Sequence, residues 1–199
     1  MALREQGNAS GAYGAAAQGD RAGRFKSEFF EWGEALVISL TVIVLLFTFA
    51  VRLIGVDGSS MVPTLQDRDK VILLNNLLYH DPQKGDVVVL AKKSFQDGQP
   101  IVKRVIATGG DTVDIDFTAG EVFVNGEKLN EPYINEPTHE QLTMSFPQTV
   151  PEGCIFVMGD NRNRSTDSRD VSIGMVDTRY VLGHVLARVL PVKSIGAVS

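Results

Sequence analysis

From Ala35 to Val51 the chain runs for seventeen residues without a charge, and nothing else in it constrains folding as tightly. A helix rises about 1.5 Å per residue, so this run covers roughly 25 Å. Continuing through Leu53, Ile54 and Val56 would reach the core thickness of a bilayer, about 30 Å, with Arg52 snorkelling to the headgroups. Phe29, Phe30 and Trp32 stand before it, where an interfacial aromatic belt belongs. A buried helix of a soluble domain would show more polar positions than Ser39, Thr41 and Thr48. A cleaved export signal has a shorter apolar stretch nearer the N-terminus. The sequence therefore predicts an interfacial segment and an uncleaved transmembrane anchor over residues 28–56, held in a lipid bilayer.

Residues 1–27 are Gly/Ala-rich, lack an apolar period, and are expected to form a disordered tail. Charge alone does not orient the anchor, because Arg21, Arg24 and Lys26 before it are balanced by Arg52, Arg68 and Lys70 after it. From residue 57 to 199 short runs such as Lys70–Leu74, Asp86–Leu90, Ile101–Ile106, Thr112–Asp116, Ile155–Met158 and His184–Leu190 alternate with turns. Within Glu121–Leu129, Asn125-Gly126 can take the positive φ angles of a type I′ hairpin turn. No amphipathic helix follows the apolar run. The fold class expected is mainly β, an antiparallel β domain of about 145 residues preceded by one N-terminal transmembrane α-helix.

Composition removes several classes of function. A net charge of −5 and a pI near 5.2 argue against a nucleic-acid partner. The single cysteine, Cys154, cannot form an intramolecular disulfide or anchor a Cys-rich zinc site, and it reads as a core residue. His80, His139 and His184 lie too far apart for a metal-spacing motif, so neither metal nor cofactor is expected.

Three polar segments exceed what a plain β fold needs. In Val56–Leu65, Gly58 frees the backbone and Pro63 fixes it, which could present a serine outward; by itself this segment reads first as a Ser-rich turn. It is not the Gly-x-Ser-x-Gly elbow of α/β hydrolases. In Ile101–Ile106, Lys103 and Arg104 point to opposite faces of a strand, so one of the two cations must lie on an apolar face. That lysine either snorkels at a sheet edge or is a buried amine with a depressed pKa. Gly159–Arg169 reads as a solvated loop or as a walled set of hydrogen-bond partners; Arg162 and Arg164 rule out a calcium loop. No histidine lies in these segments, so a Ser-His-Asp triad finds no support, whereas a serine with a lysine base needs only two side chains and a desolvated pocket.

Gly58-Ser-Ser-Met-Val-Pro-Thr-Leu65, Val102-Lys-Arg-Val-Ile106 with Gly109-Gly-Asp111, and Gly159-Asp-Asn-Arg-Asn-Arg-Ser-Thr-Asp-Ser-Arg169 resemble, in order, the three active-site boxes of bacterial type I signal peptidases, the Ser-Lys leader peptidases. Gly174-Met-Val and Val181-Leu-Gly-His-Val resemble the family's closing strands, and the likeness runs from about residue 28 to 195 in the single-span, Gram-positive-like pattern. The resemblance implies a serine endopeptidase that cuts signal peptides from secreted preproteins after small residues at −3 and −1. It implies Ser60 as nucleophile, Lys103 as general base, Ser165 holding the lysine, and Asp167, Arg169 and Asp160 in support. Asp57, Gly58, Ser59, Met61, Pro63 and Ile101 would border the substrate. It further implies a smaller β subdomain inserted at about 110–152, a cytoplasmic N-terminus, and a catalytic domain on the outer side of the cell membrane. One departure is Gly58, where some members carry a serine that helps stabilise the oxyanion; the Ser60 backbone N–H is left as principal donor.

An ordinary lysine, with a pKa of about 10.4, is a neutral base in roughly one molecule per thousand at pH 7. Bringing it to about 7–8 requires disfavouring its charge by roughly 3–5 kcal/mol, which burial among Ile101, Val105 and Met61 would supply if Arg169 occupies Asp167. A self-cleaving repressor-type Ser-Lys protease shares this logic but is soluble and carries a DNA-binding module. A non-catalytic membrane-tethered β module would tolerate loss of Ser60 or Lys103.

Overall fold

The computed structural model describes residues 12–93, 95 and 98–198, with side chains described from Phe30 onward. The first element, α1, spans Ala12–Phe49. Of the tail expected to be disordered, residues 1–11 lie outside the described residues, and from Ala12 the chain is helical. Alanine has the highest helix propensity, and lengthening an existing helix needs no new nucleus. Phe30–Phe49, with mean hydropathy 2.1 and none of it buried in the protein, is long and apolar enough to cross a membrane.

The helix ends before the apolar run does. Val51–Gly55 is strand β1, paired antiparallel with β2 (Lys70–Asn75) from Val51↔Leu74 to Gly55↔Lys70. The predicted continuation of the span through Leu53, Ile54 and Val56 is therefore corrected. Val51, Ile54 and Gly55 are poor helix formers, and the ladder with β2 satisfies their backbone groups. Twenty helical residues at about 1.5 Å each already cover a bilayer core.

Residues 47–199 form a compact unit of their own, built from antiparallel sheet. Its further strands are β3 (Val87–Leu90), β4 (Ile101–Thr108), β5 (Thr112–Asp116), β6 (Glu121–Val124), β7 (Glu127–Lys128), β8 (Gln148–Thr149), β9 (Cys154–Met158), β10 (Val176–Asp177), β11 (Val181–Leu190) and β12 (Gly196–Ala197). The main sheet has the order β1-β2-β11-β3-β4-β9-β10, with β12 added to β11. A second sheet, β7-β6-β5-β8, is made by the chain between β4 and β9, which are themselves neighbours in the main sheet. Asn125 (φ 55°) and Gly126 (φ 80°) both take positive φ, the requirement of the type I′ turn that joins β6 to β7. Among the described residues the only helical pieces after α1 are short 3₁₀ turns.

At the centre of the main sheet both faces are covered, and β3 is buried at every residue. Val88 and Leu90 pack with Ile101, Val105, Ile155 and Val157. Val87 and Val89 pack with Met61, Leu65, Val71, Leu73 and Val185. A third cluster joins Val113, Ile115, Val122 and Val124 of the small sheet to Ile106, Phe156 and Met158 of the main one. β4 contributes to more than one cluster, which fixes the strand carrying Lys103.

Phe156 is fully buried where the two sheets meet and packs edge-to-face on Phe146, with ring centroids 5.8 Å apart. Phe156→Ala should cost about 3–5 kcal/mol of stability, read from chemical denaturation of the purified protein. A loss under about 1 kcal/mol would show that the sheets do not share this core.

Candidate active site

Ser60 lies in the loop between β1 and β2. Val56 closes the loop at its base, donating to the Asp69 carbonyl (2.9 Å) and accepting from the Arg68 N–H (2.9 Å). Gly58 has φ +93°, a left-handed conformation that strains any L side chain, and its N–H reaches Asp67 Oδ1 at 3.0 Å. Beyond Ser60 the chain turns tightly, with Val62 N–H to the Ser59 carbonyl at 3.2 Å and Leu65 N–H to the Met61 carbonyl at 2.9 Å. Met61 and Leu65 are buried and hold the turn to the core. Asn161 grips it from the other side: its backbone N–H donates to the Ser60 carbonyl and its Nδ2 to the Ser59 carbonyl, both at 3.0 Å. The Ser60 backbone N–H itself has no hydrogen-bond partner among the described residues.

Lys103, in β4 opposite Val88, is 2% exposed, and its Nζ is 2.8 Å from Ser60 Oγ. Among the described residues no carboxylate lies within 4 Å of that amine. Burial lowers its pKa to about 8; the charges of Asp167 and Asp160 pull it back up and that of Arg169 reinforces the lowering. Arg104, the next residue, is equally buried but fully partnered. Its Nε and Nη2 grip Asp160 at 2.9 and 2.8 Å, its Nη1 donates to the Gly85 carbonyl, and it lies 4.0 Å over the Tyr133 ring. Asp160 also accepts from Thr64 Oγ1, tying the serine loop to the same pair. Two adjacent buried cations thus differ in kind: the guanidinium has a carboxylate and the amine has none.

The loop from Gly159 to Arg169 supplies the surrounding wall. Asp167 and Arg169 form a two-pronged pair at 2.8 Å on each prong, and Arg169 also donates to the carbonyls of Glu140 and Arg162. Gly159 N–H donates to Asp167 Oδ2 at 3.0 Å. Arg162, fully buried, pairs with Glu131 through both terminal nitrogens and donates to Thr138 Oγ1 and the Gly159 carbonyl. With every fork filled, these charges cost far less to bury than they would singly. Ser165 corrects the expectation placed on it. It is buried, but among the described residues its Oγ makes no hydrogen bond, not even to the lysine amine. The hydroxyl packs instead against Gly159, where an added Cβ would fall 2.3 Å from it and 2.5 Å from the Ser60 carbonyl oxygen.

A cleft of about 630 Å³ opens beside the pair and is lined by Asp57, Gly58, Ser59, Ser60, Met61, Ile101 and Lys103. Pro63 does not line it; exposed and three residues past the serine, it shapes the turn. Sequence reasoning missed Val56, Val102, Leu182 and Arg164, which also line it, and both the grip of Asn161 on the serine loop and the close approach of Gly159 to it. The Gly159-Asp-Asn string was the only signal for the last two. Cys154 is half-buried at the start of β9 against the small-sheet core, and burial raises its thiol pKa, which makes it a poor nucleophile.

Residues 29–190 match the family model described as signal peptidase, peptidase S26. The chain is 36% identical over 166 residues to signal peptidase I of Bacillus licheniformis, covering 79% of this chain and 87% of that protein. It is 35% identical to signal peptidase I S of Bacillus subtilis, over 79% and 87% of the two chains. It is also 35% identical to the probable signal peptidase I-1 of a Synechocystis species, over 81% and 82%.

Gly159→Ala forces its new Cβ against the Ser60 carbonyl and Ser165, so the serine loop must move. A displacement of about 1 Å at a reacting group costs on the order of 100-fold in rate. The variant should fold, with near-unchanged far-UV circular dichroism, and lose about that factor in kcat; wild-type kcat would show that the loop is not held there.

Proposed function

The chain belongs to the signal peptidase family, peptidase S26, a family of serine proteases, and we propose that it cuts signal peptides from secreted preproteins with Ser60 as nucleophile and Lys103 as general base. The observation that carries this reading is the 2.8 Å contact, at the edge of a peptide-sized cleft, between a serine hydroxyl and a buried amine that lacks a carboxylate. When protonated, that amine donates to Ser60 Oγ; when neutral, it accepts the hydroxyl proton.

Lys103 Nζ takes the proton as Ser60 Oγ bonds to the scissile carbonyl carbon, and the carbonyl π electrons pass to oxygen. The Ser60 N–H is free to receive that oxyanion, a contribution of about 3–4 kcal/mol. The ammonium then returns its proton to the departing amine as the C–N bond breaks, leaving an acyl-enzyme. Water, deprotonated by the same amine, releases the acid and restores the serine. Asp167 and Asp160 would hold Lys103 charged if left free; Arg169 and Arg104 occupy them.

The preprotein lies extended along Asp57–Ser59 and Ile101, adding as a strand and burying alternate side chains. Val56, Met61, Val102 and Leu182 put apolar side chains on the cleft lining, which supports small apolar residues at −3 and −1. Gly58 and Met61 shape the floor beside the nucleophile. Phe30–Phe49 anchors the protein in the cell membrane, with the N-terminus cytoplasmic and the catalytic domain on the other side. The assignment of residues 57–199 to that domain, and of about 110–152 to an inserted subdomain, belongs to the same reading.

Incubation of the purified protein with a preprotein ending its signal in Ala-x-Ala tests the dyad: Ser60→Ala and Lys103→Ala should each abolish cleavage, and full cleavage by the Lys103 variant would reject it. With a pKa of about 8, roughly a tenth of Lys103 is neutral at pH 7, so kcat/KM should rise with pH through about 8 and then level. A flat profile between pH 6 and 9 would contradict the base. Lys103→Met, which removes the amine and keeps the volume, should be inactive yet melt no lower than wild type at pH 7. The sign follows from linkage. Lys103 sheds its proton in the folded state near pH 8 and in the unfolded state near pH 10.4, so its contribution to stability rises between those values and is least favourable below them. A marked drop in melting temperature would assign the lysine a structural role.

A further inference from the structure

Arg164 closes the 3₁₀ turn Arg162–Arg164, is exposed, and lines the same cleft as Ser60 and Lys103. Its guanidinium has neither an ion pair nor a hydrogen bond among the described residues, whereas the two other arginines of this loop spend every fork on carboxylates and carbonyls. Arg52, also exposed and without a side-chain partner among the described residues, lines the cleft from β1. The only carboxylate on the lining is Asp57. In a chain of net charge −5, the substrate cleft therefore carries two permanent positive charges against one negative, and a third positive charge whenever Lys103 is protonated.

Resting on the Ser60–Lys103 reading, we propose that this cleft selects substrates with an acidic side chain near the bond it cuts, and that Arg164 is the selecting residue. A guanidinium meets a carboxylate through two parallel hydrogen bonds, a geometry that neither amides nor hydroxyls reproduce. It repels a lysine or arginine at the same place, so attraction and exclusion act together. An extended chain rises about 3.3 Å per residue, so a long arginine on the cleft wall reaches side chains within about three residues of the scissile bond. Exposed charge pairs change an equilibrium by a factor of about two to five and are screened by salt, and the Asp-versus-Lys comparison adds the repulsive half to the attractive one.

The test uses the full chain in an uncharged detergent and a set of Ala-x-Ala peptides identical except for Asp, Gln or Lys at position −2, +1, +2 or +3. The quantity read is the ratio of kcat/KM for the Asp peptide to that for the Lys peptide within one enzyme, which cancels any general loss of fold or rate in a variant. At about 50 mM salt the wild-type ratio should reach about fivefold to tenfold at one or more positions, and shrink at about 500 mM. It should fall toward one in Arg164→Gln and below one in Arg164→Glu, while Arg52→Gln lowers it less. A wild-type ratio near one at every position overturns the proposal, as does a ratio that Arg164→Glu leaves unaltered. If wild type cuts none of the peptides, the Ser60–Lys103 reading itself fails; if it cuts all of them equally, that reading stands and the role of Arg164 falls.

Discussion

The site depends on a buried amine being denied a counter-ion. A lysine in water-poor surroundings normally recovers its lost hydration by finding a carboxylate, and two are near enough to raise the pKa of Lys103. Both are committed elsewhere by arginines whose two-pronged geometry an ammonium cannot match: Asp160 to Arg104 and Asp167 to Arg169. What remains for the Lys103 nitrogen is a single serine hydroxyl. Stability is given up at that point, as the proposed transfer of a proton near neutral pH requires.

The rest of the fold serves that arrangement. Burial of β3 and β4 on both faces makes β4 a rigid carrier for the lysine, while the serine sits on a loop held by its grips. Those grips come from far along the chain, Asn161 holding the Ser59–Ser60 backbone, Gly159 leaving room for it to pack close, and Asp160 accepting from Thr64. The polar third segment is therefore no solvated loop. Two of its arginines, Arg162 and Arg169, are among the most deeply buried side chains of the protein.

Much of the site was legible because the chemistry demands particular residue types in particular company. A serine between Gly58 and Pro63, adjacent cations in an apolar strand, and an Asp-Asn-Arg string with Asp167 and Arg169 each stand out against an ordinary β pattern. The anchor was legible through the absence of charge, but its end was not: Val51, Leu53 and Ile54 are as apolar as the helix, and only pairing with β2 shows them to be strand. Arg104–Asp160 and Arg162–Glu131 join residues 56 and 31 positions apart, and no local period marks such pairs. The Ser165 hydroxyl was misplaced for a related reason, since its contact with Gly159 depends on how the loop closes, which side-chain types do not specify.

The proton on Lys103 Nζ is open to direct observation. Nitrogen-detected NMR titration of the ¹⁵N-labelled lysine side chains, with Lys103 assigned by its loss in a Lys103→Arg sample, reads the amine itself without any substrate. Lys103 Nζ should titrate near pH 8, well apart from the others. If every lysine in the protein titrates at its ordinary value of about 10.4, the amine is not desolvated and Lys103 cannot serve as the base near neutral pH.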